Sequence, residues 1–279
     1  MRRIDLHTHS TASDGTFTPR ELIKLARFYR LAGLALCDHD TVEGTDEFQK
    51  AGQEFDFLAI SGVEISLEFL GITHLLGLNL GQTAGSLAVL SNLQKLRVDR
   101  NQKIFDKLRE LEFELSWDRI AEISGGGQVG RPHFARAMVE KGYCHSPQEA
   151  FDRYLGKKGL AYVDKVRPRP AEAIRFLRQA NFAPVIAHPV SINLASEKWP
   201  ETLAEWKAAG LVGVEAYHPD HSPKATIFFR NLAKRFDLVV TAGSDFHGAN
   251  KKVPLSWVKD HSPLGVSVLE SLRAKLTSS

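Results

Sequence analysis

The sequence predicts an α/β protein: a β/α barrel of about seven strands, carrying a helical insertion. Three observations lead there. Short apolar strands alternate with helical stretches over residues 1–85 and again over 166–279. Residues 86–165 between them show helical periodicity alone. Most predicted strands also end in His, Asp or Glu, and a β/α barrel assembles its functional site from residues at the strand ends of one face. A chain of 279 residues is long for one domain but ordinary for such a barrel.

The elements follow in order. Arg3-Ile4-Asp5-Leu6 reads as a short strand that runs into His7-Thr8-His9-Ser10. Thr18-Pro19-Arg20-Glu21 has the signature of a helix start, with Thr as cap, Pro in the first turn and Glu completing a capping box. That helix is expected to reach about Leu31 and to end at Gly33. Leu34 to Cys37 is a strand closed by Asp38-His39-Asp40-Thr41, and a helix is expected over Val42 to Glu54. Phe57 to Ile65 and Ile72 to Leu78 are strands carrying Glu64 and His74, and the alternation argues for a parallel sheet. In the insertion, Leu93, Leu96, Ile104, Leu108 and Leu111 recur at helix spacing. Gly125-Gly126-Gly127 breaks the pattern, and Arg131-Pro132-His133 starts another helix. Beyond it, strands over Ala183–Ala187, Val212–Ala216 and Leu238–Ala242 end in His188-Pro189, Tyr217-His218-Pro219 and Gly243-Ser244-Asp245-Phe246-His247. Helices are expected over Ala171–Gln179, Lys224–Phe236 and Val266–Leu276.

Composition narrows the class. With 43% apolar and 25% charged residues the chain is globular rather than disordered. A net charge of +3 does not indicate a nucleic-acid coat, although a local basic patch stays open. The two cysteines, Cys37 and Cys144, lie far apart, and Cys37 sits in an apolar run that suggests a buried thiol. No apolar leader core or membrane-length stretch is seen, so a cytoplasmic location is expected, with no membrane and no obligate protein partner.

The strand-end residues carry the chemistry. A strand has a side-chain period of two, so His7 and His9 point to one side, with Asp14 five residues on. Added to them are His39, Glu64, His74, His188, Asp245 and His247. Imidazoles and carboxylates gathered this closely would be unpaired buried charges unless they shared divalent cations. Nine ligands are too many for one ion, so two or three are expected, with Glu64 as the natural bridge. Mixed nitrogen and oxygen donors without thiolate suit Mn, Zn or Fe. Such a cluster makes hydroxide from a bridging water at neutral pH and clamps phosphoryl oxygens. Asp40 and His218 are candidates for proton donation to the leaving alcohol; Asp40 could instead orient a metal-bound histidine. Arg131 and His133, and more weakly Arg97, Arg100 and Asn101, are candidates for binding a second phosphate; the alternative is a solvated helix face. Asp14 is the expected point of phosphate entry. His221 and His261 read as surface residues and His145 as the neighbour of a helix cap.

Taken together, His7-Thr8-His9-Ser10, Asp38-His39-Asp40, Gly62-Val63-Glu64, Ala187-His188-Pro189 and Ser244-Asp245-x-His247 resemble the motifs of the PHP (polymerase and histidinol phosphatase) family. The resemblance implies a distorted seven-stranded β/α barrel with a trinuclear metal centre. Carried over by position, His7, His9, Glu64 and Asp245 would hold one metal, Asp14, His39 and His247 a second, and Glu64, His74 and His188 a third. Gly130-Arg131-Pro132-His133 and Tyr217-His218-Pro219 resemble most closely the branch of nucleoside 3′,5′-bisphosphate phosphatases and 5′→3′ exonucleases acting on short oligonucleotides. The expected activity is therefore metal-dependent hydrolysis of a nucleotide phosphate ester by a metal-bridging hydroxide, with the insertion capping the substrate. Two other readings are a small-molecule phosphatase of the histidinol-phosphate type and a non-catalytic module that binds nucleic-acid ends through its metals.

Overall fold

The computed structural model describes residues 3–81, 85–125, 129–164, 167–256 and 264–277, and for residues 85–94, 96 and 97 the backbone alone. In chain order, β1 (Ile4–Asp5) leads to α1 (Pro19–Phe28), β2 (Gly33–Leu36), α2 (Thr45–Glu54), β3 (Leu58–Ser66) and β4 (His74–Asn79). Four helices follow, α3 (Gly85–Glu110), α4 (Trp117–Ile123), α5 (Arg131–Glu140) and the short α6 (Pro147–Ala150), which continues into a π-helical turn over Phe151–Leu155. The chain then resumes with α7 (Pro170–Gln179), β5 (Phe182–Ile186), α8 (Trp199–Ala208), β6 (Gly213–Tyr217), α9 (Pro223–Arg235), β7 (Val239–Ala242) and α10 (Ser267–Thr277). These elements form two compact units, residues 1–90 with 167–279, and residues 91–166.

The first unit is a nearly closed barrel. Its seven strands follow one another in space in chain order. Between the ends, the segment after β1 closes on the segment after β7: Leu6 N donates to Ala242 O at 3.0 Å, and Thr8 bridges Phe246 in parallel. Side chains alternate about each strand as the pleat requires. In β2 and just beyond, Ala35 and Cys37 join Leu6, Ile60, Leu76 and Val185 in one buried cluster. Leu34 and Leu36 instead join Leu22 and Ile23 of α1 and Phe48 of α2 in another.

The sheet is not wholly parallel, in contrast to the expectation from alternation. β4 runs antiparallel to both β3 and β5. The cause lies in the connection, because the few residues between Ser66 and His74 cannot hold a crossover helix, and antiparallel neighbours are what a short loop joins. The consequence for His74 is direct. It stands at the amino-terminal end of its strand, yet the reversal brings that end to the face where the parallel strands present their carboxyl ends.

Two helix boundaries also move. The capping box is present, with Thr18 Oγ1 accepting from Glu21 N and Glu21 Oε2 accepting from Thr18 N at 2.8 Å. However, α1 stops at Phe28, Arg30 turns left-handed (φ 55°), and Gly33 opens β2 beside the Leu58 and Ile4 side chains. Glu43 N donates to Thr41 Oγ1, which makes a turn of residues expected to be helical and delays α2 to Thr45.

The second unit is built on its own core of Ile104, Leu108, Ile120, Phe134, Met138, Tyr154 and Leu155. Of the apolar positions read from the periodicity, Ile104 and Leu108 are buried, Leu111 is exposed, and the side chains of Leu93 and Leu96 lie outside the described residues. Gly126 and Gly127 of the glycine run also lie outside them. Both cysteines are free and buried, and no helix among the described residues is long and apolar enough to cross a membrane.

Phe48 is fully buried between α1 and β2. Phe48→Ala is expected to destabilise the protein by about 3–5 kcal/mol in urea unfolding, because the site loses the transfer energy of the ring and keeps a cavity.

Candidate metal centre

Every strand of the barrel delivers polar side chains to one face. His7 and His9 follow β1, His39 follows β2, Glu64 lies near the end of β3, and His74 begins β4. His188, His218 and the pair Asp245 and His247 follow β5, β6 and β7. Asp14 comes from the turn after His9, where Gly15 is required because a Cβ would lie 2.3 Å from His9 O.

The distances separate three overlapping groups, in each of which the ligand atoms lie within 4.8 Å of one another. One is His7, His9, Glu64 and Asp245, with His9 Nε2 3.1 Å from Asp245 Oδ1 and His7 Nε2 3.4 Å from Glu64 Oε1. Another is His9, Asp14, His39 and His247, with His247 Nε2 3.3 Å from Asp14 Oδ1. The last is His39, Glu64 and His74, in which each imidazole Nδ1 sits 2.9 Å from a Glu64 oxygen. His188 Nε2 adjoins it, 3.0 Å from Glu64 Oε1. His9 and His39 each belong to two groups, a sharing not apparent in the sequence.

The electrostatics are those of a buried, mutually dependent set. Burial alone would raise the Glu64 carboxyl, but His39, His74 and His7 hold it well below the usual carboxylate range. Asp245 is likewise depressed against its burial, by His7 first. Burial would lower the His7 imidazolium, yet Glu215, Glu64 and Asp245 push it well up. In the same way His39, opposed by burial, is raised to about 9 by Glu64 and Asp14. Asp14 is lowered to about 2 against its burial, by His247, His39 and His9. His74 is lowered, because burial outweighs the attraction of Glu64.

The donor set fits divalent cations. His39 Nδ1 and Glu64 Oε2 approach to 2.9 Å without hydrogen-bond alignment, so both remain buried without a hydrogen-bond partner, as does His9 Nδ1. Buried polar atoms with no hydrogen-bond partner are costly, and three of them converging from three elements are what divalent cations would satisfy together. The cluster opens to a cavity of about 530 Å³, whose wall also includes Ile72, Val190, Asp220, His221, Asn250 and Lys251.

A second set of carboxylates holds the loops that carry these donors. Asp5 accepts from His7 N, Ser244 N and Ser256 N. Asp38 accepts from the amide and hydroxyl of Ser10, both at 2.7 Å. Asp40 accepts from Ser66 N and Ser66 Oγ, both at 2.9 Å, so its two oxygens tie the end of β2 to the end of β3. Glu215, fully buried, faces His7 Nδ1 at 3.1 Å and is lowered to about 2 against its burial, by His7 first. Reading the sequence missed Asp5 and Glu215; the signal for each was a single acid in an otherwise apolar strand. It also missed Ser191, 2.7 Å from His188 Nδ1, and Lys251, which pairs with Asp245.

His218 is buried; its Nδ1 accepts from Asp220 N at 3.1 Å, and its Nε2 stands 3.6 Å from Asp245 Oδ2. His221 is not a surface residue. It is 1% exposed, because its Nδ1–H donates to Ala216 O at the end of β6 and folds the ring inward. His261 lies outside the described residues, and His145 precedes the Ser146 cap, donating its amide to Glu149.

In the helical unit, Arg131 Nη1 donates to Leu155 O, and its guanidinium lies over Phe151 and Tyr162. Arg100 Nε donates to Val163 O, and both arginines act on the Tyr162 phenol. Asn101 donates to Val129 O, and His133 Nδ1 accepts from Gly130 N at 2.9 Å. The Arg97 side chain lies outside the described residues.

Residues 5–150 match the model of the PHP domain. The chain belongs to the PHP family. A 5′-3′ exoribonuclease of Haemophilus influenzae is 35% identical over 260 residues, covering 92% of this chain and 93% of the relative. A 3′,5′-nucleoside bisphosphate phosphatase of Chromobacterium violaceum is 31% identical over 250 residues, covering 88% of each. A crystal structure from Bifidobacterium adolescentis, assigned as a metal-dependent phosphoesterase, superposes with a TM-score of 0.71 at 28% identity, covering 98% of this chain and 96% of the other. This PHP protein is a metal-dependent phosphoesterase, and its barrel is the fold of those neighbours.

The pKa shifts give the stability of the metal-free protein a direction of change with pH on the acid and on the alkaline side. The depressed carboxylates Asp14 and Glu215 stabilise the fold above their ordinary values, and that contribution is lost as pH falls toward about 2. His39, raised to about 9, stabilises it fully below 6.5 and loses this as pH rises through 9. Melting of chelator-treated protein is expected to weaken between pH 6.5 and 9, with His39→Gln flattening that slope; an unchanged slope would show that His39 does not cause it.

Proposed function

We propose that this PHP protein hydrolyses phosphate esters of nucleotides, removing the 3′-phosphate of nucleoside 3′,5′-bisphosphates, degrading short oligonucleotides 5′→3′, or both. The observation that carries the reading is the set of three overlapping donor groups, two of which share the buried carboxylate of Glu64, at the wall of a cavity of about 530 Å³. The names of the Haemophilus and Chromobacterium relatives supply the substrate class.

In this reading His7, His9, Glu64 and Asp245 hold one ion, Asp14, His39 and His247 a second, and Glu64, His74 and His188 a third, with Mn²⁺ as the preferred metal over Zn²⁺ or Fe²⁺. When bound, such ions activate water at neutral pH and offset the charge of the phosphoryl oxygens. The remaining steps fall to the chain. A backbone amide can only donate, so the Asp220 N–H fixes His218 Nδ1 as an acceptor, and the proton of the neutral ring resides on Nε2, beside Asp245. Through that N–H, His218 would hydrogen-bond the leaving oxygen and steady the charge that develops on it. Asp40, with both oxygens engaged by Ser66, serves instead to position the loop that bears His39. Asp14 receives the phosphate at the rim of the cluster. Arg100 and Arg131, converging on Tyr162 in the helical unit, with Asn101 and His133 beside the start of α5, contact a second phosphate. The expected compartment is the cytoplasm, where both buried thiols stay reduced.

A substrate panel with Mn²⁺, comprising adenosine 3′,5′-bisphosphate, a 5′-phosphorylated short RNA and histidinol phosphate, tests the assignment. Turnover of one or both nucleotide substrates is expected, abolished by a chelator and by His9→Ala, Glu64→Ala or Asp245→Ala. Cleavage of histidinol phosphate alone, or activity that survives chelation, would reject it. His218→Ala is expected to lower kcat by about 10²–10³-fold with KM little changed, whereas Arg131→Ala should raise KM for the bisphosphate more than for a monophosphate ester.

A further inference from the structure

We infer that Glu215 is a positioning residue of the metal centre: it holds the His7 proton on Nδ1 and so leaves Nε2, beside Glu64 and Asp245, as the nitrogen that would bind a metal. The inference rests on the metal-centre reading above and adds to it a residue outside the nine candidate ligands. Glu215 is the one acid in β6, flanked by Val214 and Ala216, and it is fully buried. An apolar residue would pack there at less cost, since a buried carboxylate is tolerated only with partners.

Its hydrogen-bond partners among the described residues are both at the centre. Oε2 accepts from His188 N at 2.8 Å, and the two oxygens face His7 Nδ1 at 3.1 and 3.3 Å. An ionised carboxylate only accepts, so His7 Nδ1 must carry the proton of this contact. The opposite nitrogen, Nε2, is then the one that faces the other donors, 3.1 Å from His9 Nε2 and 3.4 Å from both Glu64 Oε1 and Asp245 Oδ1. The same carboxylate also holds the backbone of His188, which sits in a left-handed conformation (φ 23°) that few side chains adopt unaided. One side chain thereby orients donors that follow β1 and β5.

Two features of the barrel are shaped around this contact. The pairing of β6 with β7 slips between Glu215 and Tyr217, an irregularity of the kind that re-aims side chains near active sites. Gly243, just past β7, leaves the space: a Cβ there would lie 2.3 Å from Glu215 Oε1 and 2.2 Å from His7 Cβ.

The test is Glu215→Gln, which keeps size and removes the second acceptor. If the amide oxygen takes the His188 N–H, the amide nitrogen faces His7 Nδ1, and the ring must move its proton to Nε2. Chelator competition with Zn²⁺ on the purified full-length protein is expected to show about 10–100-fold weaker binding in the variant. A purely structural role would lower the melting temperature of the metal-free protein and leave zinc affinity alone. Wild-type zinc affinity in a folded E215Q variant would therefore overturn the inference. Should the variant fail to fold, histidine ¹⁵N spectra of the zinc-loaded wild type decide: Nδ1–H on His7 supports the inference, and Nε2–H overturns it. A wild-type protein that binds no zinc and no Mn²⁺ would instead overturn the underlying metal-centre reading.

Discussion

A single buried carboxylate sets the terms for this molecule. Glu64 is fully excluded from solvent, and its two oxygens lie within 3.4 Å of imidazole nitrogens from His7, His9, His39, His74 and His188. An isolated carboxylate in such a place would cost many kcal/mol or take up a proton. Here the five rings come from the ends of four other strands, so the charge can be buried only once the sheet has curled into a barrel. Fold and site are in this sense the same event. β3 is placed to allow it, pairing in parallel with β2 and antiparallel with β4, so that Glu64 has a strand on either side.

Around that centre the acidic residues divide by what they bind. Asp14, Glu64 and Asp245 face imidazole nitrogens. Asp5, Asp38, Asp40 and Glu215 take backbone amides of the strand-end loops, at His7, Ser10, Ser66 and His188 respectively. These amides have no ladder partners where the strands stop, and a carboxylate satisfies them while fixing the loop. The arrangement matches the backbone strain, because Asp40, His188 and Asp245 all have positive φ. Such conformations persist where the surroundings over-determine them, and they concentrate at functional sites. Preorganised donors of this kind suit phosphoryl chemistry, in which the protein contributes mainly position and charge.

Much of this was legible before the structure. The motif His-x-His after a strand, Asp-His-Asp after the next, and Asp-x-His after the last identify a metal-binding barrel face, because chemistry of that density has few other uses. The helical insertion was legible from the change of period. The course of β4 was harder, since an apolar run carries no direction; only the shortness of the loop before it gave a hint. Arg131 and His133 were singled out by residue type and by their place before a helix. Their local contacts, a carbonyl, two aromatic rings and a backbone amide, depend on residues 130–162 folding back on one another.

The sequence by itself determined the donor chemistry and the face that carries it, since the side-chain period and the strand ends are local properties. Tertiary structure alone decided the partnerships. Ring closure brings Thr8 beside Phe246, and with them His9 beside Asp245 and His247. It lets His9 and His39 serve two groups each, buries His221, and sets Glu215 behind His7 across more than two hundred residues of chain. No local pattern encodes such pairs, because which carboxylate meets which imidazole depends on sheet curvature and strand direction, and these emerge only when all seven strands are in place.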